Sequence, residues 1–201
     1  MTAPATATAA DRARLRGDLV PLPGQAQPWQ SNSQDGPTGV LTLAQFAQRL
    51  ADTAVDTQRV TDEETDRGFQ YAVREDWTGS DGSQADVYLV QFSSAGGAQS
   101  YVLACQDGNA NTVGTSGTYQ VPGAGDAMAY QRSGIDSQGN VYTEGYLVVG
   151  NVGVWVNFWT PAKADRAAVL ALLKQQYAAL LADPTVAAAQ RTAPALPTPG
   201  S

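Results

Sequence analysis

The chain has 201 residues, 43% of them apolar and 15% charged, with a net charge of −7. It contains no histidine and a single cysteine, Cys105, which excludes Ser-His-Asp and Cys-His hydrolases, HExxH metalloproteases, an intrachain disulfide and a CxxC redox pair. The acidic balance, with Lys163 and Lys174 the only lysines, speaks against nucleic acid as a partner, because phosphate neutralisation needs clustered Lys and Arg.

In chain order, residues 1–17 are Ala/Thr-rich and end in Arg12, Arg14 and Arg16. Residues 185–201 are a second low-complexity segment, with Pro194, Pro197 and Pro199. Neither has periodic apolar residues to offset ordering entropy, so both are expected to be disordered tethers around one domain at 18–184. Residues 18–29 carry Pro21, Pro23 and Pro28 and read as an extended arm anchored by Leu19, Leu22 and Trp29. The run SNSQDGPTG at 31–39 is a loop. A helix is expected over 43–53, because Thr42 and Gln45 fit a capping box, with Leu41 and Phe46 at the hydrophobic-staple positions. An acidic turn should follow at 61–68.

Strands are expected at 69–77 and 85–92, joined by TGSDGS as a hairpin. Ser94 caps a helix whose stripe is Ala98, Tyr101, Val102 and Cys105, ended by Asp107-Gly108. VPGA at 121–124 is a turn. Strands then follow at 127–132, 140–149 and 152–160, with Gly150-Asn151 as the tight turn between the last two. Thr160 and Pro161 open a final helix with a stripe of Val169, Leu170, Leu173, Tyr177, Leu180 and Leu181, stopped at Asp183-Pro184. The order α-ββ-α-βββ-α implies an α+β domain with an antiparallel sheet of five or six strands. Strand 140–149 is apolar on both faces, so helices should cover both. No apolar run reaches the roughly 18 residues of a membrane span.

The helix, the hairpin and the segments DLVPLP…PW, VPGAGDAMAY and GNVGVWVNFW together make 18–183 similar to extracytoplasmic domains of actinobacterial lipoproteins and membrane-anchored sensor proteins. Several of these adopt PsbP-like α+β sandwiches. The resemblance implies an envelope location and a binding or scaffolding role, and it supplies no catalytic residue and no cofactor.

Several motifs bear on chemistry. Gly123-Ala124-Gly125 lacks the third glycine of a dinucleotide fingerprint, with Met128 in its place, and reads as a turn. Asp107, Asn109 and Asn111 begin like a calcium loop, but Thr112 and Thr118 stand where glycine and glutamate are needed. Asp62, Glu63, Glu64 and Asp66 read as solvated charge. Cys105 lies on a buried stripe and reads as inert core.

Glu144 shares a strand face with Tyr142 and Tyr146. It is either a carboxyl of raised pKa able to act as a general acid or the partner of an arginine such as Arg132 or Arg74. On the last strand, Trp155, Asn157 and Trp159 point to one face and Val154, Val156 and Phe158 to the other. Two indoles flanking an amide could line a groove with one polar anchor, or be covered as core. The expected activity is thus a non-enzymatic binding module for a protein or a small hydrophobic ligand. The alternatives are a carboxylate-dependent enzyme or an assembly component.

Overall fold

The computed structural model describes residues 7–29, 38–51 and 53–194. Two long hairpins make the centre of the sheet. The first joins β3 (Phe69–Thr78) and β4 (Gln84–Phe92), and the second joins β7 (Asn140–Val149) and β8 (Val152–Pro161). At the second turn Gly150 takes a φ of 58°, the positive value a two-residue hairpin loop requires. Strands β1 (Gln27–Pro28), β2 (Gly39–Leu41), β5 (Thr118–Gln120) and β6 (Met128–Gln131) complete the sheet. Its order is β1-β3-β4-β8-β7-β6-β5, with β2 also on β3, and every pairing is antiparallel. The fold is α+β, as expected, with eight strands among the described residues rather than five or six. Strands β1, β2 and β5 have two or three residues each, too few to display alternation.

Helices cover both faces, as the doubly apolar strands require. On one face α1 (Ala9–Gly17), α5 (Arg166–Ala182) and α6 (Pro184–Thr192) bring Leu15, Val169, Leu173, Leu180 and Val186 onto Val73, Leu89, Leu147, Val154 and Phe158. On the other, α2 (Leu43–Leu50) and α4 (Ala95–Gly117) bring Phe46, Ala98, Tyr101 and Val102 onto Ala72, Tyr88, Val90, Tyr146 and Trp155. Helix α3 (Ala54–Asp66) packs beside α2. Glycines admit these helices closely. A Cβ on Gly145 would lie 2.6 Å from Leu173 of α5, and one on Gly153 would lie 2.8 Å from the ring of Tyr101 of α4. The capping box of α2 forms as read, with Thr42 N–H donating to Gln45 Oε1 at 2.9 Å.

Five expectations are corrected. The ends are ordered where described. Helix α1 has its own capping box, Thr8 with Asp11, and fully buries Leu15; α6 begins at the Asp183 cap, with Pro184 in its first turn, and buries Val186. Residues 1–6 and 195–201 lie outside the described residues, as does the expected loop apart from Thr38 and Gly39. The acidic turn at 61–68 is the last part of α3 and the reversal after it, with Glu64 buried and paired to Arg67. Helix α4 continues past Asp107-Gly108 to Gly117, broken at Gly114, so the calcium-loop positions are helical. Strand β8 runs through Thr160 and Pro161, and α5 is capped by Asp165 instead. Leu181 is exposed rather than part of the buried stripe.

Candidate functional site

Strand register places the candidate residues in adjacent rows on the α2/α4 face. Across β7 and β8, Tyr142 faces Trp159, Glu144 faces Asn157 and Tyr146 faces Trp155. Strand β4 extends two of these rows with Asp86 beside Asn157 and Tyr88 beside Trp155, and β3 adds Asp76 and Arg74. All six residues singled out from the sequence therefore share one surface. They divide into three layers with different surroundings.

The innermost layer is core. Trp155 is 7% exposed, stacked on Tyr88 at 4.6 Å and parallel to Tyr146 at 6.5 Å. A groove lined by both indoles of β8 is therefore not open in this structure. The cover comes from the α2/α4 side of the sheet rather than from the C-terminal helix.

The middle layer is a buried ionic row. Asp86, at 0% exposure, accepts from Arg74 Nε at 2.7 Å and Arg74 Nη2 at 3.2 Å. It also accepts from Arg49 Nη2 at 3.3 Å and from the Tyr88 hydroxyl at 2.8 Å. Arg74 reaches Asp76 as well, at 3.3 Å. On β7, Glu144 accepts from Arg132 at 3.0 Å and from the Tyr146 hydroxyl at 2.6 Å. Arg132 is thus the arginine that pairs with it. Asn109 of α4 braces this end, its Oδ1 accepting from Arg132 at 3.0 Å. Charges out of water need such pairing to persist. Asn157, 1% exposed, stands between Glu144 and Asp86 in the row. Its Oδ1 accepts from the Tyr142 hydroxyl, while its Nδ2 has no hydrogen-bond partner among the described residues. Burial, reinforced by the Glu144 carboxylate, raises the pKa of the Tyr142 and Tyr146 phenols well above the ordinary value, which keeps both as donors.

The outer layer is half-buried. Tyr142 and Trp159 stack at 5.0 Å with an interplanar angle of 25°, and Trp29 meets Trp159 edge-on at 5.5 Å. Trp29 also borders a cavity of about 500 Å³ at the sheet edge, lined by Arg74, Asp76 and Arg16 among others. Trp29 reaches this place because its N–H donates to the Asp76 carbonyl just beyond the β1–β3 pairing.

Chemically, the arrangement offers rigid aromatic surface, paired charges and no activated nucleophile among these residues. Both oxygens of Glu144 are engaged. The Cys105 thiol is pushed up to about 12 by burial and then by Glu64, far from thiolate reactivity. Arg74, offered from the sequence as a partner for Glu144, pairs with Asp86 and Asp76 instead, and Arg49, Asp76 and Asp86 were not singled out from the sequence. For Arg74, Asp76 and Asp86 the available signal was a charged residue within strands apolar on both faces; Arg49 lies on α2 and had none.

No protein-family model matches the chain, and no curated protein matches it in sequence. Among solved structures it is similar to the extracellular domain of PknH from Mycobacterium tuberculosis, at 15% identity over 86% of this chain and 92% of that one, with a TM-score of 0.48. No helix among the described residues is long and apolar enough to cross a membrane.

Proposed function

We propose that this domain is a non-catalytic, extracytoplasmic binding module whose contact surface is the Tyr142–Trp159–Trp29 corner. One observation carries the reading. On a sheet face otherwise packed under helices, Tyr142 stacks on Trp159 and Trp29 meets Trp159 edge-on, yet all three rings are half-buried. Rigid, partly exposed aromatic rings give a ligand apolar area at little entropic cost. Arg132, whose side chain is 36% exposed, adds a cation one strand away. The surface therefore suits a small hydrophobic ligand with a flat ring system and an acidic substituent. Trp155, Tyr146, Asn157 and Glu144 serve behind it: the first two fill the core, Asn157 orients the Tyr142 hydroxyl and Glu144 holds Arg132. The envelope location, with the PsbP-like sandwich as its family frame, rests on the sequence resemblance and the low-charge, Ala/Thr/Gly-rich composition.

The probe for binding is 1-anilinonaphthalene-8-sulfonate, followed by ¹⁵N NMR of the four indole N–H groups. Saturable shifts at Trp159 and Trp29, with Trp155 unmoved, are expected, and Trp159→Leu should weaken binding roughly tenfold or more with unchanged far-UV circular dichroism. Equal perturbation of all four indoles, or full affinity in Trp159→Leu, would overturn the reading. For location, alkaline phosphatase fused after Ser201 in the native gene should be active only if the domain is exported.

A further inference from the structure

The opposite face carries a second concavity, unconnected with the aromatic corner. It measures about 440 Å³, within the roughly 300–1,000 Å³ of small-molecule sites. Its floor is apolar: Trp77 and Phe158 meet edge to face at 5.8 Å and 75°, and Leu172 of α5 closes the side. The Pro-rich arm at 21–26 forms the facing wall. Pro21 and Pro23 both line the cavity, so the arm works as a strap over the hairpin ends.

The mouth is acidic. Asp81 from the β3–β4 turn and Asp165 from the start of α5 both line it, and among the described residues no Lys or Arg does. Each carboxylate is fixed through Oδ1. Asp81 accepts from the Ser83 hydroxyl at 2.6 Å and its N–H at 3.0 Å. Asp165 accepts from the Ala168 N–H at 3.0 Å. The second oxygen of each is available to a donor. The Ser83 hydroxyl, then its N–H, hold Asp81 below the usual carboxylate range, so it is ionised at neutral pH. The positive end of α5 is already met by Asp165, so the helix does not turn the mouth toward anions.

We propose that this cavity binds a small amphipathic amine, its aryl or short alkyl body on Trp77, Phe158 and Leu172 and its ammonium at Asp81 and Asp165. The acidic rim selects a cation by charge, while the apolar floor takes the uncharged body. A carboxylate of the same shape would meet two like charges.

Phenethylammonium is the probe and 3-phenylpropionate its charge-reversed control, titrated into the intact chain by ¹⁵N NMR. The amine should shift the Trp77 indole saturably and leave Trp29 and Trp159 in place, whereas the acid should not bind. The Asp81→Asn/Asp165→Asn double variant keeps both the turn and the cap, since Asn serves each as Asp does, and should bind the amine roughly tenfold more weakly or worse. Ala171→Phe should fill the cavity and abolish the shift. The proposal is overturned if the amine leaves Trp77 unmoved, if the acid binds as well, or if the double variant binds like the parent. Because the readout is Trp77 rather than Trp159, failure here leaves the aromatic-corner reading standing, and the reverse also holds.

Discussion

Asn157 is neutral at the one place in its row where a charge would be most costly. Its neighbours across the two adjoining strands are the carboxylates of Glu144 and Asp86, each already matched to an arginine. Asn157→Asp changes almost no volume but adds a fourth carboxylate to a row in which Glu144, Asp86 and Asp76 already engage Arg132, Arg74 and Arg49. We expect it to lower stability by about 3 kcal/mol or more at pH 7, and by less at pH 5, where the buried carboxyl is protonated. Urea unfolding at the two pH values measures this, and an equal loss at both would remove the electrostatic explanation. The same row shows what a sequence reading can and cannot reach. Alternation alone puts Tyr142, Glu144 and Tyr146 on one face and Trp155, Asn157 and Trp159 on one face, and that is how they stand. Which rings are sealed depends on cross-strand neighbours: Tyr88 from β4 closes Trp155, while Trp29, from an arm dozens of residues away, flanks Trp159. Arg74 and Asp86 meet only through the β3–β4 register, so neither announces the other in advance.

Elements were legible where their signals are local. The Thr42/Gln45 box, the Gly150 turn and both long hairpins need only residues within a few positions of one another. Helix α6 failed for a different reason. Asp183-Pro184 ends α5, and the same pair also suits a helix start, with Asp as cap and Pro in the first turn. What decides between them is a docking site, the β7–β8 turn, where Gly150 N–H donates to the Gln190 side chain. Helix α1 likewise depends on Leu15 alone finding a fully buried place. Close helix packing yields a further prediction. Gly153→Ala drives its methyl to 2.8 Å from the fully buried Tyr101 ring and should cost about 1–3 kcal/mol. Thermal unfolding checks it, and no change would mean that α4 does not press on β8 at Gly153.

At the scale of the whole molecule, the two ends of the described chain are fastened to each other. Arg14 of α1 pairs with Asp183 at the α5–α6 junction and lies 3.7 Å from Asp18, the C-terminal cap of α1. Burial and then the Asp183 carboxylate push Asp18 up to about 6, while Asp183, tied to the α6 backbone and Arg14 against its burial, is lowered. A carboxyl whose folded pKa is raised stabilises the fold below its unfolded pKa and loses that contribution as pH rises through the folded value. Asp18→Asn should therefore raise the melting temperature at pH 7.5 and leave it nearly unchanged at pH 4. A loss at pH 7.5 would show that the ionised Asp18 is needed. The sheet order has a consequence in time. Strand β8 lies between β4 and β7, and its partners on β4 are 61 to 75 positions earlier, from Gln91↔Val152 to Gln84↔Trp159. During synthesis the β3–β4 hairpin is complete long before that partner emerges, so β4 waits with one apolar edge unpaired. Until the ribosome has released the final hairpin, this chain carries an open edge of the kind that recruits other chains, and its yield in a cell depends on how briefly that edge stays open.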